Sequence, residues 1–170
     1  MKAIFLVVFF FPNFCFAQKL VKNEVDEFTK ASIKTTSWET ITYSGRFVAY
    51  ASISKIDETY YLNLRVMLPS SEVFSIDKGD ELMIKTATDS IITLYNLKYE
   101  ISCTGCGAKG LLGSGVPGME VKYKIPSEIV SFLLNTRINK LRIYTTDGYA
   151  EGDIKDKNAE TLIKLLKLVK

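Results

Sequence analysis

The chain contains no histidine among its 170 residues. That absence removes the usual general base at neutral pH, the commonest transition-metal ligand and the histidine of a haem-attaching Cys-x-x-Cys motif. Serine–histidine–acid and cysteine–histidine catalysis are therefore excluded. An excess of one charge is missing too. Lys and Arg number 22 against 19 Asp and Glu, a net charge of +3. With the basic residues spread along the chain, there is no footprint for nucleic acid and no polybasic membrane patch. Lys164, Lys167 and Lys170 alternate with leucines and read as the solvated side of a helix. No Gly-Lys-Ser or Gly-Lys-Thr is present, so a phosphate-binding P-loop is excluded.

Long apolar runs are absent except at the start. Lys2 precedes an unbroken run from Ala3 to Phe11, Pro12-Asn13 ends it, and Cys15-Phe16-Ala17 offers a cleavage site. This pattern predicts a secretory signal peptide over 1–17, cut after Ala17. The run is shorter than the roughly 20 residues a spanning helix needs. Asn13 and Phe14 before Cys15 do not match a lipoprotein signal, so lipid anchoring is not expected. The expectation is an exported protein, periplasmic or extracellular, whose mature chain of 18–170 forms one α+β domain without a transmembrane segment. Lys2 is the only charge lost, leaving 21 basic against 19 acidic residues.

The mature chain reads mostly as strands. Phe47–Ile53 and Tyr60–Met67 are rich in aromatic and β-branched residues and flank the polar Lys55–Glu58 stretch, which predicts a hairpin. Glu81–Thr86 and Ile91–Tyr95 form a second pair around Thr88-Asp89-Ser90, and Lys98–Ser102 a further strand. Met119, Val121, Tyr123 and Ile125 alternate with Glu120, Lys122 and Lys124, the period of a strand with one wet face. Leu141–Thr145 and Tyr149–Ile154 flank Asp147-Gly148, a pair suited to a tight primed turn.

Two helices interrupt this pattern. Near 127–134, Ser127 is the expected cap, with Ile129, Val130, Phe132 and Leu133 as the buried stripe. At the carboxyl end Asn158 is the expected cap of a helix striped by Ala159, Leu162, Ile163, Leu166 and Val169. Such a stripe must lie on an apolar surface, so the fold expected is a curved antiparallel sheet, sandwich- or barrel-like, covered on one face by the last helix.

The segment 102–118, SCTGCGAKGLLGSGVPG, gathers six of the ten glycines and both cysteines of the mature chain. Its two G-x-G-x-x-G spacings lack the following helix that makes such glycines a dinucleotide site. Cys-Thr-Gly-Cys-Gly-Ala-Lys-Gly is similar to one zinc knuckle of the DnaJ-type chaperones. Ala108, however, stands at a glycine position, and a single copy supplies two of the four ligands zinc needs. A thioredoxin-like pair would open a helix, and none follows. Cys103 and Cys106 are therefore read as a disulfide formed outside the cytoplasm. No metal and no cofactor are expected. Lys109, Leu111 and Leu112, at the tip of the loop, are the candidate contacts for a protein or small-molecule partner.

Ser52-Ile53-Ser54-Lys55 has the Ser-x-x-Lys spacing of β-lactam-binding enzymes but lies in a strand, without the companion motifs. Asp147, Glu151 and Asp153 share one hairpin and are the remaining carboxylate candidates. The sequence thus favours a non-catalytic exported binding or interaction module. The alternative is a histidine-free hydrolase of carbohydrate or cell-wall material working through paired carboxylates.

Overall fold

A computed structural model describes residues 19–69, 73–109 and 113–170. The expected signal peptide, 1–17, lies outside the described residues. In chain order the elements are β1 (Leu20–Val25), β2 (Ser32–Thr36), β3 (Glu39–Tyr43), β4 (Val48–Ile56), β5 (Thr59–Met67), β6 (Ser75–Ile76), β7 (Glu81–Thr86), β8 (Ile91–Tyr95), β9 (Glu100–Ile101), β10 (Cys103–Thr104), β11 (Pro117–Ile125), α1 (Ser127–Leu133), β12 (Ile138–Thr145), β13 (Gly148–Asp153) and α2 (Thr161–Val169).

The strands form open antiparallel sheets that do not close into a barrel. A seven-stranded sheet runs β1-β2-β4-β5-β11-β10, with β3 also on β4; a four-stranded sheet runs β13-β12-β7-β8; β6 and β9 pair separately. The architecture is α+β, as the periodicity predicts.

The central hairpin is β4–β5, whose apolar residues alternate between two faces. Ala49, Ala51 and Ile53 join the main core, whereas Val48 and Tyr50 belong to a second cluster on the other face. Asp57 and Glu58 alone make the turn, because Asp57 takes a positive φ of 51° that its short polar side chain tolerates. Asp57 also clamps β2, its Oδ1 accepting from the Ser32 N–H at 2.9 Å.

One long strand, β4, serves two neighbours along one edge: β3 pairs with Val48–Ala51 and β2 with Ser54–Ile56. Between them the ladder is interrupted, and side chains complete it. Thr36 Oγ1 accepts from the Ile53 N–H at 2.9 Å, and Ser52 Oγ donates to the Thr36 carbonyl at 2.8 Å. This pairing accounts for the burial of both hydroxyls.

The inner faces of the two large sheets, α1 and α2 share one apolar core. Helix α2 lies across β2, β3 and β4, the covering role expected of it. Its phase differs from the sequence reading. A 3-10 turn over Asp156–Asn158 precedes it and Glu160 occupies the cap, so the stripe is Leu162, Leu165, Leu166 and Val169, with Ile163 only half-buried. Asn158 is not the cap; its Nδ2 donates to the Ile41 carbonyl at 3.1 Å and ties the turn to β3.

In α1, Pro126 rather than Ser127 holds the cap position, its carbonyl accepting from the Val130 N–H at 3.0 Å. Only Val130 and Leu133 of that helix are buried, and Phe132 is exposed, because a helix of two turns presents a narrow stripe to the core. The β12–β13 turn is likewise displaced by one residue. Thr146 and Asp147 are its central pair, and Gly148 alone takes a positive φ, 112°. The strand read over Lys98–Ser102 shrinks to Glu100–Ile101, since the chain here leaves the large sheet to pair with β6.

Candidate binding surface

The glycine-rich segment begins at β10, which adds two residues to the edge of β11 through Cys103↔Gly118 and Thr104↔Pro117. Cys103 and Cys106 form a disulfide with Cα atoms 5.3 Å apart. The bend inside the ring is held by the main chain: the Cys106 N–H donates to the Cys103 carbonyl at 3.1 Å and the Ala108 N–H to the Gly105 carbonyl at 3.0 Å.

Of the segment's described residues, Gly107, Gly113 and Val116 lie against the outer face of the seven-stranded sheet. Val116 packs against the cluster of Val48, Tyr50 and Met67, as Trp38 also does. A Cβ added to Gly107 would lie 2.7 Å from the Val66 carbonyl oxygen, and one on Gly118 would lie 2.8 Å from the same atom. The glycines are thus needed for close approach of backbone to sheet. Lys109 is anchored as well as exposed: its Nζ donates to the Trp38 carbonyl at 3.0 Å and stands 5.5 Å from the centre of the Tyr50 ring. Leu111 and Leu112 lie outside the described residues.

Beyond the loop the same face carries a polar and aromatic surface. Register places Tyr50 beside Arg65 and Glu120, Ser52 beside Asn63 and Lys122, and Ser54 beside Tyr61 and Lys124. Asn63 Nδ2 donates to Ser54 Oγ at 2.9 Å, and Ser54 shares a hydrogen bond with Thr35 at 3.2 Å. The Arg65 guanidinium lies 4.2 Å from the centre of the Trp38 ring and donates through Nε to Glu120 at 3.2 Å.

Between this surface and the arc of chain from Lys98 to Cys106 lies an open groove of about 440 Å³. Asn63, Glu120 and Lys122 line one side, Lys98, Glu100 and the disulfide the other. Both carboxylates are ion-paired, Glu100 with Lys98 at 2.6 Å and Glu120 with Arg65. Lys122 differs. Its Nζ lies 4.2 Å from the centre of the Tyr61 ring, and among the described residues no carboxylate comes within ion-pairing distance. Burial, and then the charge of Lys98, holds its ammonium below the usual lysine value. The edge of β11 also opens here, since β10 covers only Pro117 and Gly118 and the next bridge is Asn96 to Tyr123.

The other sequence candidates lie elsewhere. Ser52 is engaged with Thr36, and Lys55, three residues on in the same strand, pairs with Glu58 at 3.3 Å. Glu151 accepts from Arg142 Nη2 at 2.6 Å and Nε at 3.0 Å and lies 3.3 Å from Lys140, which also reaches Asp153 at 3.2 Å. Arg142, then Lys140, holds the Glu151 carboxyl below its ordinary range, the reverse of what a general acid requires. Among the described residues no three Cys, Asp or Glu side chains converge on a possible metal position, and no helix is long and apolar enough to cross a membrane.

The alternation already places Lys122 on the wet face of β11, but the sequence singles out neither Arg65 nor Asn63. Asn63 stands with Arg65 as a polar residue in the stretch Tyr60–Met67, but its place beside Lys122 follows only from the register of β11 on β5. Compared with known proteins, the chain matches no family model, and no curated protein or solved structure matches it significantly.

Proposed function

We propose that this protein is a non-catalytic exported binding module whose contact surface is the groove beside the disulfide loop. The observation that carries the reading is Lys122, a partly dehydrated cation without an ion-pair partner among the described residues, set in an open groove beside Lys98 and over Tyr61. An acidic group on an extended polar ligand complements it, and the free stretch of β11 edge offers main-chain hydrogen bonds alongside. The shallow form of the groove and the ion-paired state of both its carboxylates favour recognition over catalysis. The disulfide, chemistry suited to an oxidising compartment, supports export.

The test uses the purified protein, soluble uronic-acid and neutral polysaccharides, and acidic peptides, with calorimetry for binding and a reducing-end assay for cleavage. Binding of an acidic probe should weaken about tenfold or more in Lys122→Glu, the scale of one charge-assisted hydrogen bond, with an unchanged melting temperature. Binding indifferent to that substitution would overturn the assignment of the surface. Cleavage of a probe would overturn the non-catalytic reading in favour of the hydrolase.

A further inference from the structure

The ladder along the outer edge of β11 has a gap at one residue, Glu120. The Leu68 N–H donates to the Pro117 carbonyl at 3.2 Å, so the odd-numbered residues of β11 turn their main-chain groups toward β5. Antiparallel alternation turns those of Gly118, Glu120 and Lys122 the other way. Gly118 meets Cys103 there, and the Lys122 carbonyl accepts from the Leu97 N–H at 3.2 Å. Between these two positions the N–H and the carbonyl of Glu120 have no hydrogen-bonding partner among the described residues.

The gap opens on the groove, which Glu120 lines together with Asn63 and Lys122. Asn63 is only 8% exposed. Its Nδ2 donates to Ser54 Oγ at 2.9 Å and to the Ser52 carbonyl at 3.4 Å, while its Oδ1 accepts from no described group. Beside Glu100, Ile101 is exposed and lines the groove as well. One site thus offers a cation without an ion pair, a main-chain donor and acceptor on a single residue, a side-chain acceptor and an apolar contact. The same face is poorly made for a sugar. Arg65 stands 4.2 Å from the centre of the Trp38 ring, Lys122 4.2 Å from that of Tyr61 and Lys109 5.5 Å from that of Tyr50, so a pyranose that binds by stacking competes with a cation on each.

We propose that the ligand of this groove is an acidic peptide in extended form. One of its residues fills the gap at Glu120 with a reciprocal pair of main-chain hydrogen bonds, and its carboxylate meets Lys122. This assignment rests on the groove being the contact surface. A peptide carries an N–H and a C=O at the spacing of a strand, which is what the gap lacks. Diagonal neighbours on one face of a sheet lie about 7–8 Å apart, within reach of long side chains. A glutamate opposite Glu120 therefore reaches Lys122, and the carboxylate of Glu120 itself is already paired with Arg65 at 3.2 Å.

Calorimetry and amide hydrogen exchange on the purified protein test this. The probes are an oligogalacturonate and a pool of blocked hexapeptides, each with one glutamate and otherwise random, enriched on the immobilised protein. The enriched peptide should slow exchange of the Glu120 amide about tenfold or more, and should lose about tenfold or more in affinity in Lys122→Glu or when its glutamate becomes glutamine. Methylating the one peptide N–H that fills the gap should weaken binding as much. Lys122-dependent binding of the oligogalacturonate with no peptide enriched would overturn the peptide while leaving the groove as the contact surface. Peptide binding that leaves exchange at Glu120 unchanged would overturn the filling of the gap. Binding of both probes indifferent to Lys122→Glu would overturn the groove and this proposal with it.

Discussion

Gly113 lies against the thioether of Met67 so closely that a Cβ would collide with the sulfur, and its φ is +78°. The φ is a backbone region that side chains rarely occupy, and a Cβ would in addition push aside the flexible end of Met67. Gly113→Ala is expected to cost about 1–3 kcal/mol. Gly115→Ala, with nothing within 4 Å of its Cβ position, should be neutral. Urea denaturation of both variants checks the contrast, and equal midpoints would show that the segment is not seated on the sheet.

Tyr123 is fully buried on β11, and its hydroxyl has no hydrogen-bonding partner among the described protein groups. Burial, and then the charge of Asp80, pushes its ionisation well above the ordinary 10.0. The folded state thus retains the proton while the unfolded chain loses it. Stability contributed by the neutral ring is complete below pH 10.0 and is lost as pH rises beyond it. Tyr123→Phe should be neutral or stabilising by about 1 kcal/mol at pH 7, and should flatten the alkaline decline seen in melting temperature against pH.

At the acid end the sign is opposite. Hydrogen bonds from Thr29 lower the Asp26 carboxyl, Lys85 lowers Asp89, and Arg142 lowers Glu151. Their contributions are present above the ordinary values of 3.8 and 4.5 and disappear as pH falls through the depressed ones. Melting temperature should be level from pH 7 to about 5 and decline below about 4. A profile that stays level to pH 3 would show these carboxylates to be energetically idle.

The Cys103–Cys106 ring is small, so removing it releases little chain entropy. Cys103→Ser with Cys106→Ser should cost about 2 kcal/mol or less and leave the circular dichroism spectrum unchanged, while ligand affinity falls through loss of one groove wall. Mass spectrometry of protein from fractionated cells should find a chain beginning at Gln18 with both thiols oxidised. An intact amino terminus or reduced thiols would contradict export.

Alternation made β11 legible residue by residue, because it has one wet face and one buried face, while β7 and β8 were legible only as strands around a turn. The outer face of β4 was not legible in that way. Ser52 and Ser54 sit in an apolar neighbourhood of the sequence, and their burial depends on Thr35, Thr36 and Asn63, contributed by other strands. Phe132 was assigned to the core because apolar residues are assumed to follow the stripe, whereas the short α1 cannot reach so far round. Leu165 was missed for a related reason: the stripe was phased from Ala159, before the 3-10 turn resets the helix. In the groove, the cysteines and glycines were visible as local motifs. Lys122 and Asn63 acquire meaning only through the register of β11 on β5, which no local window contains.

Helix α2 has a consequence for how the molecule comes into being. The strands it roofs, β2 to β4, leave the ribosome long before it does; the Asn158 contact to Ile41 alone spans 117 positions. Until residues 161–169 have docked, part of the apolar side of those early strands lacks its cover. The apolar side of those strands is therefore closed only once the helix over 161–169 has docked, and a chain lacking that helix would offer an open-sided fold to proteases.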